Sequence, residues 1–323
     1  MNERTSESRV GIVPNVFGIA YGVGGLAGCW GYAAMLGIAP VVVSDILCVL
    51  TAVIWLGLLA AYIPQVARRP GGWGAEFSDP VQGPFVALIP IVGMLVGIGL
   101  MRHERTAGQW LFGVFAAATI LLVGLMVGEW VASGSVQIDK LHPGYLLPTI
   151  AGGLVGAIGA ELAGWTGLAR VLFGFGLISW LVIESIMVAR LWFRPPLPPP
   201  LQPSLAIHVA PPALASLSYL AITHGRVDAV AFMLAGYTVL AVLIQVRLFG
   251  LYRHLHFSSS FWAYAFPYAA VATFALHWID YVHPPGYGIW AWVVILAISA
   301  LVVALAVETT AALARHRFLP QLR

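Results

Sequence analysis

Four prolines fall at matching places inside otherwise apolar stretches: Pro90, Pro148, Pro211 and Pro267, separated by 58, 63 and 56 residues. A fifth stretch carries Ala20 at the corresponding place, 70 residues before Pro90, with Gly18, Gly22, Gly24 and Gly25 around it. A proline inside a helix removes one backbone donor and leaves the carbonyl four residues earlier without its partner. Here those carbonyls belong to Val86, Gly144, Ile207 and Ala263. In hydrocarbon an unpaired carbonyl is costly, so such breaks persist where protein or a water-filled cavity satisfies them. One such proline is an ordinary kink. Four in register favour kinked helices gathered around a common axis, with backbone oxygens and small side chains as the available chemistry.

Immediately before the five breakers stand Ile19, Ile89, Leu147, Ala210 and Phe266; on the next turn stand Gly22, Gly93, Ala151, Ala213 and Ala269. A narrow lumen lined by small residues, with one ring at mid-depth, describes a passage closed by a side chain. Spacing alone leaves Phe266 equally open to packing between helices. His208, three residues before Pro211, titrates near neutral pH. It reads as a polar pore group, a proton-linked switch, or a neutral hydrogen-bonded packing residue. Asp45, Glu129, Glu161, Glu184, Asp280 and Glu308 fall toward segment ends, where interfacial carboxylates are the default. With no acid at the membrane centre, a Na⁺ or Ca²⁺ site is not indicated, and an anion meets no buried negative charge. Central cations are absent too, so an anion would be held weakly, which suits conduction. His208 and His277 keep a haem-binding membrane redox protein as a distant alternative, opposed by their unequal depths. No nucleophile-base pair or metal-ligand cluster points to an enzyme or a cofactor.

The elements that must position these residues are hydrophobic helices. The chain has 323 residues, of which 60% are hydrophobic and 9% charged; a soluble domain needs about 25% charged residues. The stretches run too long without alternation for a transmembrane barrel. The expected fold is an all-α polytopic membrane protein with ten spans, near 14–36, 39–65, 83–101, 106–131, 145–163, 166–193, 204–224, 227–253, 260–281 and 286–314. Odd spans are short and interrupted, and even ones are long and smooth. Tight loops follow each odd span, so the chain reads as five repeated helical hairpins. The domain division is a tail over 1–13, one membrane domain over 14–314, and a second tail over 315–323. Cys29 and Cys48 read as buried thiols. The polar start MNERTSESR leads into a glycine-broken segment, unlike a cleaved signal peptide.

Of the 16 Lys and Arg residues, twelve fall on the side of the termini and four on the other. Both termini are therefore expected in the cytoplasm, with the protein in the inner (plasma) membrane. No basic run calls for a nucleic acid.

Three segments carry a resemblance: HPGYLLPTIAGGLVGA from His142, PSLAIHVAPPA from Pro203 and FWAYAFPYAA from Phe261. They resemble the tellurite-resistance/dicarboxylate transporter family, which includes bacterial TehA-type channels and plant slow anion channels of the SLAC type. The likeness covers essentially the whole chain. It implies a homotrimer in the lipid bilayer, each protomer having its own pore formed by five inner kinked helices and surrounded by five outer ones. It also implies that Phe266 of FWAYAFP occludes the pore. Ala20 departs from the proline expected in span one, and His208 stands where bacterial relatives are expected to carry a polar amide. The resulting expectation is a passive channel for small anions such as chloride or nitrate. The alternative is proton-linked transport of a C4-dicarboxylate or a tellurite-like oxyanion, with His208 as the central proton group.

Overall fold

Each interrupted stretch enters as a tight 3-10 segment and continues as an α-helix. The computed structural model describes residues 9–134, 136–315, 317–318 and 321–322. Segment Pro14–Phe17 leads into α1 (Gly18–Met35), which returns as α2 (Val41–Ala67). A short helix, α3 (Gly72–Ser78), precedes segment Gly83–Ala87 and α4 (Leu88–Leu100), which returns as α5 (Arg105–Ser133). Segment Pro143–Leu146 and a π turn, Leu147–Ala151, lead into α6 (Gly152–Leu162) and then α7 (Thr166–Phe193). Segment Pro199–Val209 leads into α8 (Ala210–Ile222) and α9 (Ala229–Tyr252); segment Ser259–Tyr264 leads into α10 (Ala265–Val282) and α11 (Tyr287–Ala314).

The prolines therefore do not interrupt helices in mid-course, which corrects the expectation of freed carbonyls. Pro90 and Pro267 are third residues of α4 and α10, Pro211 is the second residue of α8, and Pro148 is the second residue of the π turn. A first-turn position has no intrahelical N–H bond to lose. The carbonyls of Gly144 and Ile207 accept from the amides three residues on, those of Leu147 and Ala210. Closing the ladder one residue earlier satisfies groups that α-geometry would strand.

Packing arranges the elements as two shells. Helix α1 packs on α4, α4 on α6, α6 on α8, α8 on α10, and α10 back on α1, which closes a ring. Outside it, α2 lies against α1 and α4, α5 against α4 and α6, α7 against α6 and α8, and α11 against α10 and α1. Helix α9 packs on α8 and reaches α10 through Phe232 and Trp278, whose ring centroids lie 5.2 Å apart. Most residues of the inner stretch Pro143–Leu162 are buried, while few of those in Val41–Ala67 of the outer shell are. Apolar residues on the exposed outer faces meet lipid, so their hydropathy has no amphipathic period to reveal.

Among the described residues, eight helices are long and apolar enough to cross a membrane. Helices α1 and α10 are not among them, for α1 is glycine-rich and α10 carries His277 and Asp280. Both are nonetheless integral to the ring. Glycine lets the shells approach. A Cβ at Gly97 would fall 2.6 Å from the Phe112 backbone nitrogen, and one at Gly153 would fall 2.7 Å from Gly176 Cα. In a bilayer, such close backbone contact replaces the hydrophobic effect as the source of helix association.

Outer-shell side chains also supply donors to inner backbone. Trp55 Nε1 donates to the Ile89 carbonyl at 3.0 Å, and Gln245 Nε2 donates to that of Leu205 at 3.0 Å. At the chain ends, Arg9–Val10 pairs antiparallel with Gln321–Leu322, which brings both ends to one side. Helix α3 is tied to α2 through buried Glu76, which accepts from Tyr62 Oη at 2.8 Å and pairs with Arg69. At the far end Asp228 caps α9, accepting from the amides of Val230 and Ala231 at 3.0 and 3.3 Å.

Candidate functional site: a cavity inside the ring

The N-terminal halves of all five inner elements line one cavity, about 720 Å³ when its open mouth is counted. Polar, uncharged side chains stand nearest the 3-10 starts: Asn15, Gln82, Ser204, Ser259 and Ser260. Several are already fixed. The Asn15 amide donates to Gln82 Oε1 at 3.2 Å, and Ser204 Oγ donates to the Leu201 carbonyl at 2.6 Å. Deeper, the wall is apolar, with Leu88, Ile150, Ile207 and Leu214. No Asp, Glu, Lys, Arg or His is among the lining residues.

Phe266 stands on this wall and is 5% exposed. Its ring stacks on Tyr21 of α1, with centroids 3.6 Å apart and planes 12° from parallel. One turn further along α1, a Cβ at Gly25 would meet Phe266 Cδ2 at 2.7 Å. The ring thus lies in a slot whose far wall is a tyrosine and whose near wall is the bare backbone of a glycine. Sequence reasoning missed Tyr21, because the flanking residues were compared immediately before the breaker and Tyr21 stands immediately after it. A visible signal existed: Tyr21 is the one aromatic in the glycine-rich run AYGVGG.

The other expected lining residues divide into two groups. Ala151, Pro211 and Pro267 line the cavity with Phe266. Gly22 and Gly93 lie in helix–helix seams instead: a Cβ at Gly22 would fall 2.3 Å from Ala265 Cβ, and one at Gly93 would fall 2.4 Å from the Phe115 ring of α5. Ala20, Ala213 and Ala269 are fully buried, and Pro90 and Pro148 are buried in their own turns. These five are absent from the cavity wall. The physical reason is that a 3-10 start rotates the following helix relative to an unbroken α-helix. Positions that an α-period places on one face therefore leave it.

His208 also stands off the wall. Its Nδ1 lies 3.0 Å from Glu184 Oε1 in the seam between segment Pro199–Val209 and α7, and both side chains are 13% exposed. Glu184, read from the sequence as interfacial, is thus the partner of the central histidine. His277 belongs to a different seam, with Nδ1 2.6 Å from Tyr32 Oη. The pairing makes His208 a tether between shells. His208→Gln is expected to lower thermal stability by about 1–3 kcal/mol, the cost of loosening a buried polar pair. A melting curve unchanged from the wild type would show that the pair does not hold the shells together.

Comparison with known proteins gives the family. The profile of the SLAC1 family, described as voltage-dependent anion channels, matches residues 11–310. The chain is similar to the tellurite resistance protein TehA homolog of Haemophilus influenzae, at 30% identity over 259 residues, covering 80% of this chain and 79% of that protein. It is also similar to the S-type anion channel SLAH1 of Arabidopsis thaliana, 30% identical over 196 residues, covering 59% of this chain and 50% of the relative. The guard cell S-type anion channel SLAC1 of the same plant is 24% identical over 219 residues, covering 66% of this chain and 38% of the relative. The similarity therefore spans half or less of these two plant proteins.

Proposed function

The chain belongs to the SLAC1 family of voltage-dependent anion channels, and on that premise we propose that it is a passive channel for small anions such as chloride and nitrate, gated by the ring of Phe266. The ten helical elements then act as ten spans in five hairpins, with the ring α1–α4–α6–α8–α10 around the pore and both termini in the cytoplasm of an inner-membrane protein. Three copies assemble, each with its own pore.

One observation carries the choice of anion. The cavity is lined by the starting halves of all five inner elements and by no carboxylate. Helix starts carry the positive end of the macrodipole, equivalent to roughly half a charge each. Five such ends around one mouth attract an anion without binding it tightly, because no fixed cation waits inside. Weak attraction with a neutral wall favours throughput over capture. A proton-coupled carrier of dicarboxylate or oxyanion would need a titratable group on the wall, and the one central candidate, His208, is engaged by Glu184 in a seam.

The test is the reversal potential of the Phe266→Ala protein in a planar bilayer under a potassium chloride gradient. Reversal at the chloride potential is the expected result. Reversal at the potassium potential, or no current from verified inserted protein, would overturn the assignment.

A further inference from the structure

The strongest unexplained group in the cavity is the hydroxyl of Tyr21. The side chain is 4% exposed and lines the wall beside Phe266, yet its Oη has no hydrogen-bond partner among the described residues. Buried hydroxyls ordinarily find an acceptor, and one left unsatisfied calls for a specific reason. The neighbours in the wall at this depth, Leu88, Leu147, Ile150, Ala210 and Leu214, offer no competing side-chain donor. Trp262, which also lines the cavity, spends its Nε1 on Thr309 Oγ1 at 2.8 Å. Tyr21 is therefore the buried side-chain donor of the inner wall whose acceptor is missing.

We infer that Tyr21 is a specificity-determining residue, whose phenolic O–H is the hydrogen-bond donor offered to an anion as it passes the constriction. The inference rests on the anion-channel reading above and deepens it. An aromatic ring presents a negative face and a positive edge. In the closed state that face is covered by Phe266 at 3.6 Å. Once the Phe266 ring leaves, an anion avoids the exposed face of Tyr21 and finds the O–H instead. A donor in a low-dielectric wall favours the anion with more concentrated charge, because a stronger acceptor gains more from the same bond. Chloride concentrates its charge on one atom, whereas nitrate spreads it over three. The hydroxyl thus ranks chloride above nitrate in a pore whose other deep surfaces are indifferent to the choice.

The experiment compares Phe266→Ala with the double variant Phe266→Ala/Tyr21→Phe, in bilayers bathed by chloride on one side and nitrate on the other. Tyr21→Phe keeps the ring, its volume and its fit on α1, and removes only the oxygen. The nitrate-to-chloride permeability ratio is expected to rise about threefold in the double variant, the scale of one modest net hydrogen bond. Tyr21→Phe alone should stay as closed as the wild type, because the ring stack survives. An unchanged ratio, with Phe266→Ala conducting, overturns the role of Tyr21 and leaves the channel reading intact. Opening by Tyr21→Phe alone also overturns it, since the hydroxyl would then be holding the gate. Silence of Phe266→Ala overturns both.

Discussion

Phe266→Ala is expected to raise the anion current of the protein by roughly a hundredfold. In the closed state the Phe266 ring gives up two things if it moves aside. The first is the stack on Tyr21, worth about 1 kcal/mol beyond burial. The second is the burial of a phenylalanine side chain at 5% exposure, worth about 2 kcal/mol when the ring turns into a wet lumen. Together they set a closed-to-open bias near 3 kcal/mol, and each 1.4 kcal/mol is a factor of ten. Roughly one wild-type molecule in a hundred is then open at any moment, while an alanine at 266 has nothing to move. Phe266→Leu should fall between, keeping most of the bulk and losing the stack. The comparison is made on equal amounts of inserted protein in one bilayer composition. Equal currents from wild type and Phe266→Ala would mean that the ring packs the inner shell without gating it.

The second large effect is on assembly. Gly153 of α6 and Gly176 of α7 face each other backbone to backbone. A Cβ at Gly153 would lie 2.7 Å from both Cα and N of Gly176, and a Cβ at Gly176 would lie 2.9 Å from the Leu154 nitrogen. Side chains crowd the seam as well, Phe175 Cδ1 at 2.9 Å from the first and Leu154 Cγ at 2.8 Å from the second, but the backbone atoms cannot yield, so an added carbon must push the helices apart. Overpacking costs about 1–3 kcal/mol where a side chain can adjust, and more where backbone is struck, against a total stability of about 5–15 kcal/mol. Gly153→Leu is therefore expected to abolish the monodisperse species in detergent. Gly174, two residues from Gly176 on the same helix, has nothing within 4 Å of its hypothetical Cβ. Gly174→Leu should elute and melt like the wild type. Matching melting curves for Gly153→Leu and Gly174→Leu would dispose of the seam.

Much of this plan was legible from residue order, and the remainder was hidden for a definite cause. Hydropathy and tight turns located the helical stretches, because a run of about twenty apolar residues in a hairpin has few alternatives. The prolines marked the right places for the wrong reason. They sit at the joint between 3-10 and α segments, and no composition signal separates the two, which differ only in whether an amide reaches back three residues or four. An α-period laid through that joint placed Gly22 and Gly93 on the lumen, whereas they serve helix seams. Phe266 itself was visible as the one aromatic of its aligned set. Its neighbour Tyr21 lies 245 positions earlier in the chain, a distance over which spacing carries no information. Glu184 was misread for a similar reason, since the histidine it serves is 24 residues away, on another element.

The 3-10 starts also change how far a helix reaches. A 3-10 residue advances about 2.0 Å and an α residue about 1.5 Å. Gly83–Leu100, with five residues of the first kind and thirteen of the second, therefore extends about 30 Å, whereas a uniform α-helix of the same 18 residues would extend about 27 Å. The hydrocarbon layer is about 30 Å thick, so this inner element can stand upright with nothing to spare. Helix α5, with 29 residues, is about 43 Å long and has length left over for leaning. When the bilayer thins or thickens, the outer shell can absorb the mismatch by tilt. Gly83–Leu100 thus matches the layer as it stands, while α5 can follow a change in thickness by altering its lean.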